Sequence, residues 1–178
     1  MKKHCAALLL MLAPIVLPAA SPDVLKLPDF RGLEARASDS VNLSLDPWML
    51  NMMGGFIKDS DGDAADTRRI MKGIKSIQIR SFEFDQDFAY PAAEVEGVRR
   101  QLNAPGWSRL LQTRNAATSE NVDMYLMIED QQPRAFALIC SEPKSFTIIS
   151  IVGTVSVQDM AKLQSHFNLS RLRAFAVL

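Results

Sequence analysis

Any chemistry in this chain has to come from a short supply of catalytic side chains. Histidine occurs at His4 and His166, and cysteine at Cys5 and Cys140. His166 lies in the C-terminal segment, where a surface or capping role is expected, so nucleophile–His–acid catalysis has little to build on. Zinc needs several Cys or His ligands at close spacing, and these residues do not supply them; no metal site is expected. Cys140 sits in the apolar run Ala135–Cys140 and reads as a small buried hydrophobe. Carboxylates are more plentiful. Asp59, Asp61 and Asp63 match the opening of a calcium loop. However, the sixth position is Ala64 rather than Gly and the twelfth is Ile70 rather than Glu, so a solvated acidic loop reaching Asp66 is expected instead. Glu83, Asp85 and Asp87 alternate with Phe82, Phe84 and Phe88. Glu83, Asp85 or Glu129 would carry the acid–base work of a hydrolase if at least two such groups shared a deep pocket. Arg68, Arg69, Lys72, Lys75 and Arg80 form a modest basic cluster without interleaved aromatics, which suits a solvated face better than a nucleic-acid site. Walker A, G-x-G-x-x-G and G-x-S-x-G patterns are missing, and no cofactor is expected.

The whole composition fits a globular chain. Of 178 residues, 48% are apolar and 22% charged, with 20 basic against 20 acidic side chains. This excludes a largely disordered or collagen-like chain and speaks against nucleic acid as the main partner. The length suits one domain with a real core. The start is different. Met1-Lys2-Lys3-His4 is basic, Ala6 to Ala20 is uncharged and rich in leucine, and Ala19, Ala20 and Ser21 are small. That is the pattern of a secretory signal peptide, with cleavage expected after Ala20. A spanning helix needs about 20 apolar residues, and Pro14 and Pro18 interrupt this shorter run, so an uncleaved anchor is the weaker alternative. Cys5 precedes the apolar run and cannot be a lipoprotein cysteine. After cleavage the chain keeps Cys140 alone, so no internal disulfide is expected. Exported or periplasmic placement follows, with no transmembrane segment in the mature chain.

The elements that would position these residues are readable from periodicity. Residues 21–43 read as an extended lead-in, with a short strand near Ser40–Leu45. Asp46-Pro47 is an N-cap followed by proline at N1. Trp48, Met49, Met52, Met53, Phe56 and Ile57 then mark one helix face, read as core rather than as a binding surface. A second helix is expected over 65–72. Ile74–Phe84 is a strand whose apolar phase slips between Ile77/Ile79 and Phe82/Phe84. Either a bulge near Arg80-Ser81 or cover on both faces would explain this. A helix over Pro91–Leu102 has Val95, Val98 and Leu102 on one face. Strands follow at Trp107–Thr113, 122–129, 134–141 and 145–152, with turns at 130–133 and 142–144. Val122, Met124, Leu126 and Ile128 alternate with Asp123, Tyr125, Met127 and Glu129. Ser156-Val157-Gln158-Asp159 opens a last helix in the manner of a capping box. The fold class expected is α+β: a single domain over 44–172, a mainly antiparallel four-stranded sheet, helices packed on one face, order α-β-α-β-β-β-α, and a tail over 173–178.

Several segments together resemble a bacterial family. They are Met71–Phe84, Pro105–Leu110, Glu120–Leu126, Glu142-Pro143-Lys144 and Ile151–Leu163. They resemble the family called Domain of Unknown Function 4252, over about Val41 to Leu172. The resemblance implies a small exported bacterial protein and carries over no catalytic residue. Some relatives are encoded beside sigma/anti-sigma regulators, an association that suggests envelope signalling. The expected function is therefore a non-enzymatic binding or regulatory module of the cell envelope, with an envelope protein or peptide as partner. Contact would run through an exposed sheet face or edge. Arg80, Trp107, Arg109 and Tyr125 are the expected exposed contact residues. A carboxylate-dependent hydrolase is the first alternative. A membrane-surface protein using Arg171, Arg173 and the apolar residues of the tail is the second. The oligomeric state is left open.

Overall fold

A computed structural model describes residues 24–55, 57, 64–154, 156, 158 and 159. The signal-like start, most of the Asp59–Asp66 loop, His166, the last helix beyond Asp159 and the tail lie outside these residues. The described chain runs α1 (Arg31–Glu34), β1 (Asp39–Leu45), α2 (Pro47–Gly55), α3 (Ala64–Gly73), β2 (Ile74–Glu83), α4 (Ala92–Leu102), β3 (Trp107–Asn115), β4 (Glu120–Glu129), β5 (Gln132–Glu142) and β6 (Ser145–Gly153). The strands form one antiparallel sheet in the order β1-β2-β6-β5-β4-β3. The class is α+β, but the sheet has six strands rather than four. β1, where Val41, Leu43 and Leu45 alternate with Ser40, Asn42 and Ser44, and the mostly exposed β3 both join it as edges.

Helices cover both faces, not one. Against the first face pack Leu50 of α2 and Ile70 and Met71 of α3, meeting Ile79, Met124, Phe136, Leu138, Cys140, Ile149 and Ile151. Against the second pack Leu25, Phe30 and Leu33 from the lead-in and α1, and Val95, Val98 and Leu102 from α4. They meet Phe82, Tyr125, Ala137, Ile139, Phe146 and Ile148. The lead-in is therefore part of the core. This two-sided cover explains the phase slip in β2. Its pairing with β6 runs unbroken from Ser76 to Glu83, with Ile77 and Ile79 on one face and Phe82 on the other. The irregularity lies between Ile74 and Ser76 instead. There Gly73 and Gly153 cross so closely that a Cβ on either would strike backbone, and Gly153 has φ +147, open to glycine. In β4 the apparently polar face is buried as well: Asp123, Tyr125 and Met127 are covered, while Ile128 is exposed.

Local signals set the boundaries. Asp46 Oδ1 accepts the Met49 amide at 2.8 Å, the cap expected before Pro47. The predicted apolar face of α2 divides, however. Trp48 (70% exposed) and Met52 point outward, whereas Leu50 is buried and Met53 and Ile57 pack partly against the core. Asp130 and Gln131 both have positive φ and make the two-residue hairpin that sets Glu129 opposite Gln132. Ser156 N donates to Asp159 Oδ2 (3.2 Å) and Asp159 N to Ser156 Oγ (3.0 Å), the reciprocal bonds of a capping box. Arg69 of α3 holds the same carboxylate at 3.0 Å. Burial alone would raise the Asp159 pKa, but the Ser156 hydroxyl and Arg69 outweigh it and hold it below the usual carboxylate value.

Candidate binding surface

Three of the four expected contact residues lie together. The β3–β4 register sets Trp107 opposite Met127 and Arg109 opposite Tyr125, all on the face that α4 covers. The Arg109 guanidinium lies 5.6 Å from the Tyr125 ring centroid. Exposure differs from expectation. Arg109 is exposed and Trp107 half-buried, but Tyr125 is buried at 2%, because α4 closes over it. Burial, then the nearby Asp123 charge, pushes the Tyr125 hydroxyl pKa up.

Beside this trio stands a buried ionic cluster that sequence reasoning missed. Asp123 is 1% exposed. Its Oδ2 accepts from Arg99 Nε at 2.9 Å and lies 2.8 Å from Arg99 Nη2, and its Oδ1 accepts from Gln112 Nε2 at 2.8 Å. Arg99 Nη1 also donates to Glu96 at 2.8 Å. Burial works against the Arg99 charge, but the Glu96 bond and the Asp123 charge outweigh it and raise its pKa. A buried carboxylate held by three donors is a fastener, joining α4, β3 and β4. The available signal was one aspartate in a strand whose neighbours are apolar on both sides.

Arg80 lies near the opposite end of the strand order, beside β1. Its Nη1 donates to Leu43 O (2.7 Å) and Ile79 O (2.9 Å), and its Nη2 donates to Ser44 Oγ (3.0 Å). Burial lowers its pKa. Arg80 therefore pins β1 to β2, and does not join the other three residues. It lines an open concavity of about 280 Å³ with Pro28, Asp29, Glu34, Asn42 and Phe82. Two further concavities measure about 190 and 200 Å³. All three are below the roughly 300 Å³ at which small-molecule sites begin.

The carboxylates of the hydrolase reading do not converge. Glu83 pairs with Asp39 and Ser145 at one end of the sheet, and Glu129 pairs with Gln132 at the other. Asp85 is exposed in the loop after β2. Glu129 Oε2 lies 3.1 Å from Arg134 Nε as an ion pair. Burial pushes the Cys140 thiol up to about 12, which makes it a poor nucleophile. No group of three or more His, Cys, Asp or Glu among the described residues is placed to hold a metal. No helix among them is long and apolar enough to cross a membrane.

With both faces covered over the central strands, the sheet's openings are its edges. β3 is irregular: the register shifts between Arg109 and Leu111, leaving Leu110 unpaired and 46% exposed. A bulge and arginines at an edge are devices that block further pairing. β1 has neither. Its seven residues pair with β2 without a shift, all are exposed but half-buried Leu45, and Asp39 is its one charge. Val41 and Leu43 hold apolar side chains at 41% and 36% exposure. Among the described residues no strand pairs with its outer side.

Comparison with curated proteins gives no match. The model of a domain of unknown function, DUF4252, matches residues 35–163, from just before β1 to just past the Ser156–Asp159 cap, and the chain belongs to that family.

Proposed function

We propose that this chain is an exported, non-enzymatic protein of the bacterial envelope that binds polypeptide along the outer edge of β1. One observation carries the reading: β1 is a regular, nearly uncharged edge in a sheet whose other edge is bulged and whose central strands are covered on both faces. Such an edge presents a row of main-chain donors and acceptors, which an added strand can pair, and alternate side chains that can select it. Export is supported by the basic start, the uncharged Ala6–Ala20 run and the small residues at 19–21. Mass spectrometry of the chain recovered from its host's envelope should give a mature form starting at Ser21; an intact Met1 start in the cytoplasm contradicts export. Binding is tested by capture from envelope extract with the wild-type chain and a Val41→Lys/Leu43→Lys variant. Polypeptide retained by the first and lost by the second supports the edge. Equal retention by both places binding elsewhere.

A further inference from the structure

We infer that the occupant of the β1 edge is a second copy of this chain, paired antiparallel about a two-fold axis through Asn42. The inference deepens the proposed edge-binding role and rests on it.

Register selects the partner. A two-fold axis normal to the sheet turns an edge strand into its own antiparallel partner. Directly opposed residues in such a ladder share a face, so only registers pairing odd with odd and even with even are open. Centring the axis on Asn42 is the register that uses all seven residues of Asp39–Leu45; moving it to Val41 or Leu43 shortens the ladder.

At that register the strand is complementary to itself. Val41 faces Leu43 of the second copy, and Leu43 faces Val41. This joins two exposed apolar pairs on the face carrying α2 and α3. Such cross-strand apolar pairs stabilise a sheet. Ser40 faces Ser44, and the two Asn42 amides meet at the axis, where each can donate and accept. The strand's single charge, Asp39, faces Leu45, so like charges never meet. β3 offers no such match, because its bulge interrupts the ladder after Arg109. The assembly also closes. Pairing consumes both β1 edges and leaves the bulged β3 strands at the two ends, so dimers do not grow into fibres.

The test is sedimentation velocity of the mature protein over a dilution series, with cysteine cross-linking. The expected species is a dimer whose dissociation constant rises about tenfold in Leu43→Lys, with the circular dichroism unchanged. Val41→Lys, at an even more exposed position, provides a second variant if Leu43→Lys fails to fold. Asn42→Cys should form an inter-chain disulfide on mild oxidation, because two-fold-related residues at the axis lie within bridging distance. Ser40→Cys, which faces Ser44, should form little. A single-protomer mass at every concentration up to millimolar overturns the inference. So does a dimer that ignores Leu43→Lys and cross-links no better at position 42 than at 40. If the protein is monomeric yet captures another polypeptide through an edge sensitive to Leu43→Lys, the edge-binding role stands and the second copy does not. If it is monomeric and no capture is sensitive to the edge, both fail.

Discussion

The two edges of this sheet are built by opposite means. β3 adds side-chain contacts to an interrupted backbone ladder: its Gln112 holds the buried Asp123, which Arg99 of α4 also grips, Arg109 lies over Tyr125, and Leu110 bulges out of the ladder. β1 is fastened through an unbroken backbone ladder, with Arg80 bonding two carbonyls and Ser44. Among the described residues, the first leaves an edge that another strand cannot easily extend, and the second leaves one that it can. An open edge is a hazard that folded proteins ordinarily block. One blocked edge beside one left regular makes the open side the place to look for function.

The largest expected effect comes from unfastening α4 from β4. Arg99→Ala leaves Asp123 buried with Gln112 as its remaining donor, and should cost about 3–5 kcal/mol by chemical denaturation. Replacing both Arg99 and Asp123 with leucine should cost clearly less. Equal losses in the single and double variants would mean that the ion pair fastens nothing. Next in size is converting the guarded edge into an open one. Deleting Leu110 brings Arg109 and Leu111 into a single register with β4. The deletion should then associate beyond the wild-type state in light scattering. An unchanged mass would show that the bulge is not the guard.

The smallest effect concerns the face under α4. The chain's two tyrosines, Tyr90 and Tyr125, both have raised pKa values, with burial as the leading cause. A group that holds its proton more tightly when folded contributes stability that is fully present below its unfolded pKa, about 10 for tyrosine. That stability is lost as pH rises through the folded value. Tyrosinate absorbance should therefore lag behind that of the unfolded chain above pH 10, and stability should fall over the same range. Ionisation of both tyrosines at the free value would contradict the closed face.

Most element positions were legible in the sequence, because they rest on local chemistry: the Asp46 cap before Pro47, the hairpin at Asp130-Gln131, and the Ser156–Asp159 capping box. What could not be read was which surfaces meet. The slip between Ile79 and Phe82 allowed a bulge or double cover, and only the packing of α1 and α4 against the second face decides for cover. The same helix buries Tyr125, expected outside, and creates the Arg99–Asp123 pair across 24 residues of sequence. Trp48 shows the reverse error: helical spacing placed it inward, yet α2 turns Leu50 to the core and leaves Trp48 out. Of the expected contact residues, the strand register brings Trp107, Arg109 and Tyr125 together, while Arg80 serves the other edge. The property that now matters most, the regularity of β1, belongs to a short strand that the sequence showed, with Val41, Leu43 and Leu45 alternating with Ser40, Asn42 and Ser44, but whose pairing partner in the sheet it did not.

One measurement compares the two edges directly. A photo-activated cross-linking residue is placed at Asn42 in β1 or at Arg114 in β3, and each variant is irradiated in the living host. A covalent polypeptide adduct is expected from position 42 and little from position 114. Silence at 42, or equal yield at both, would contradict it.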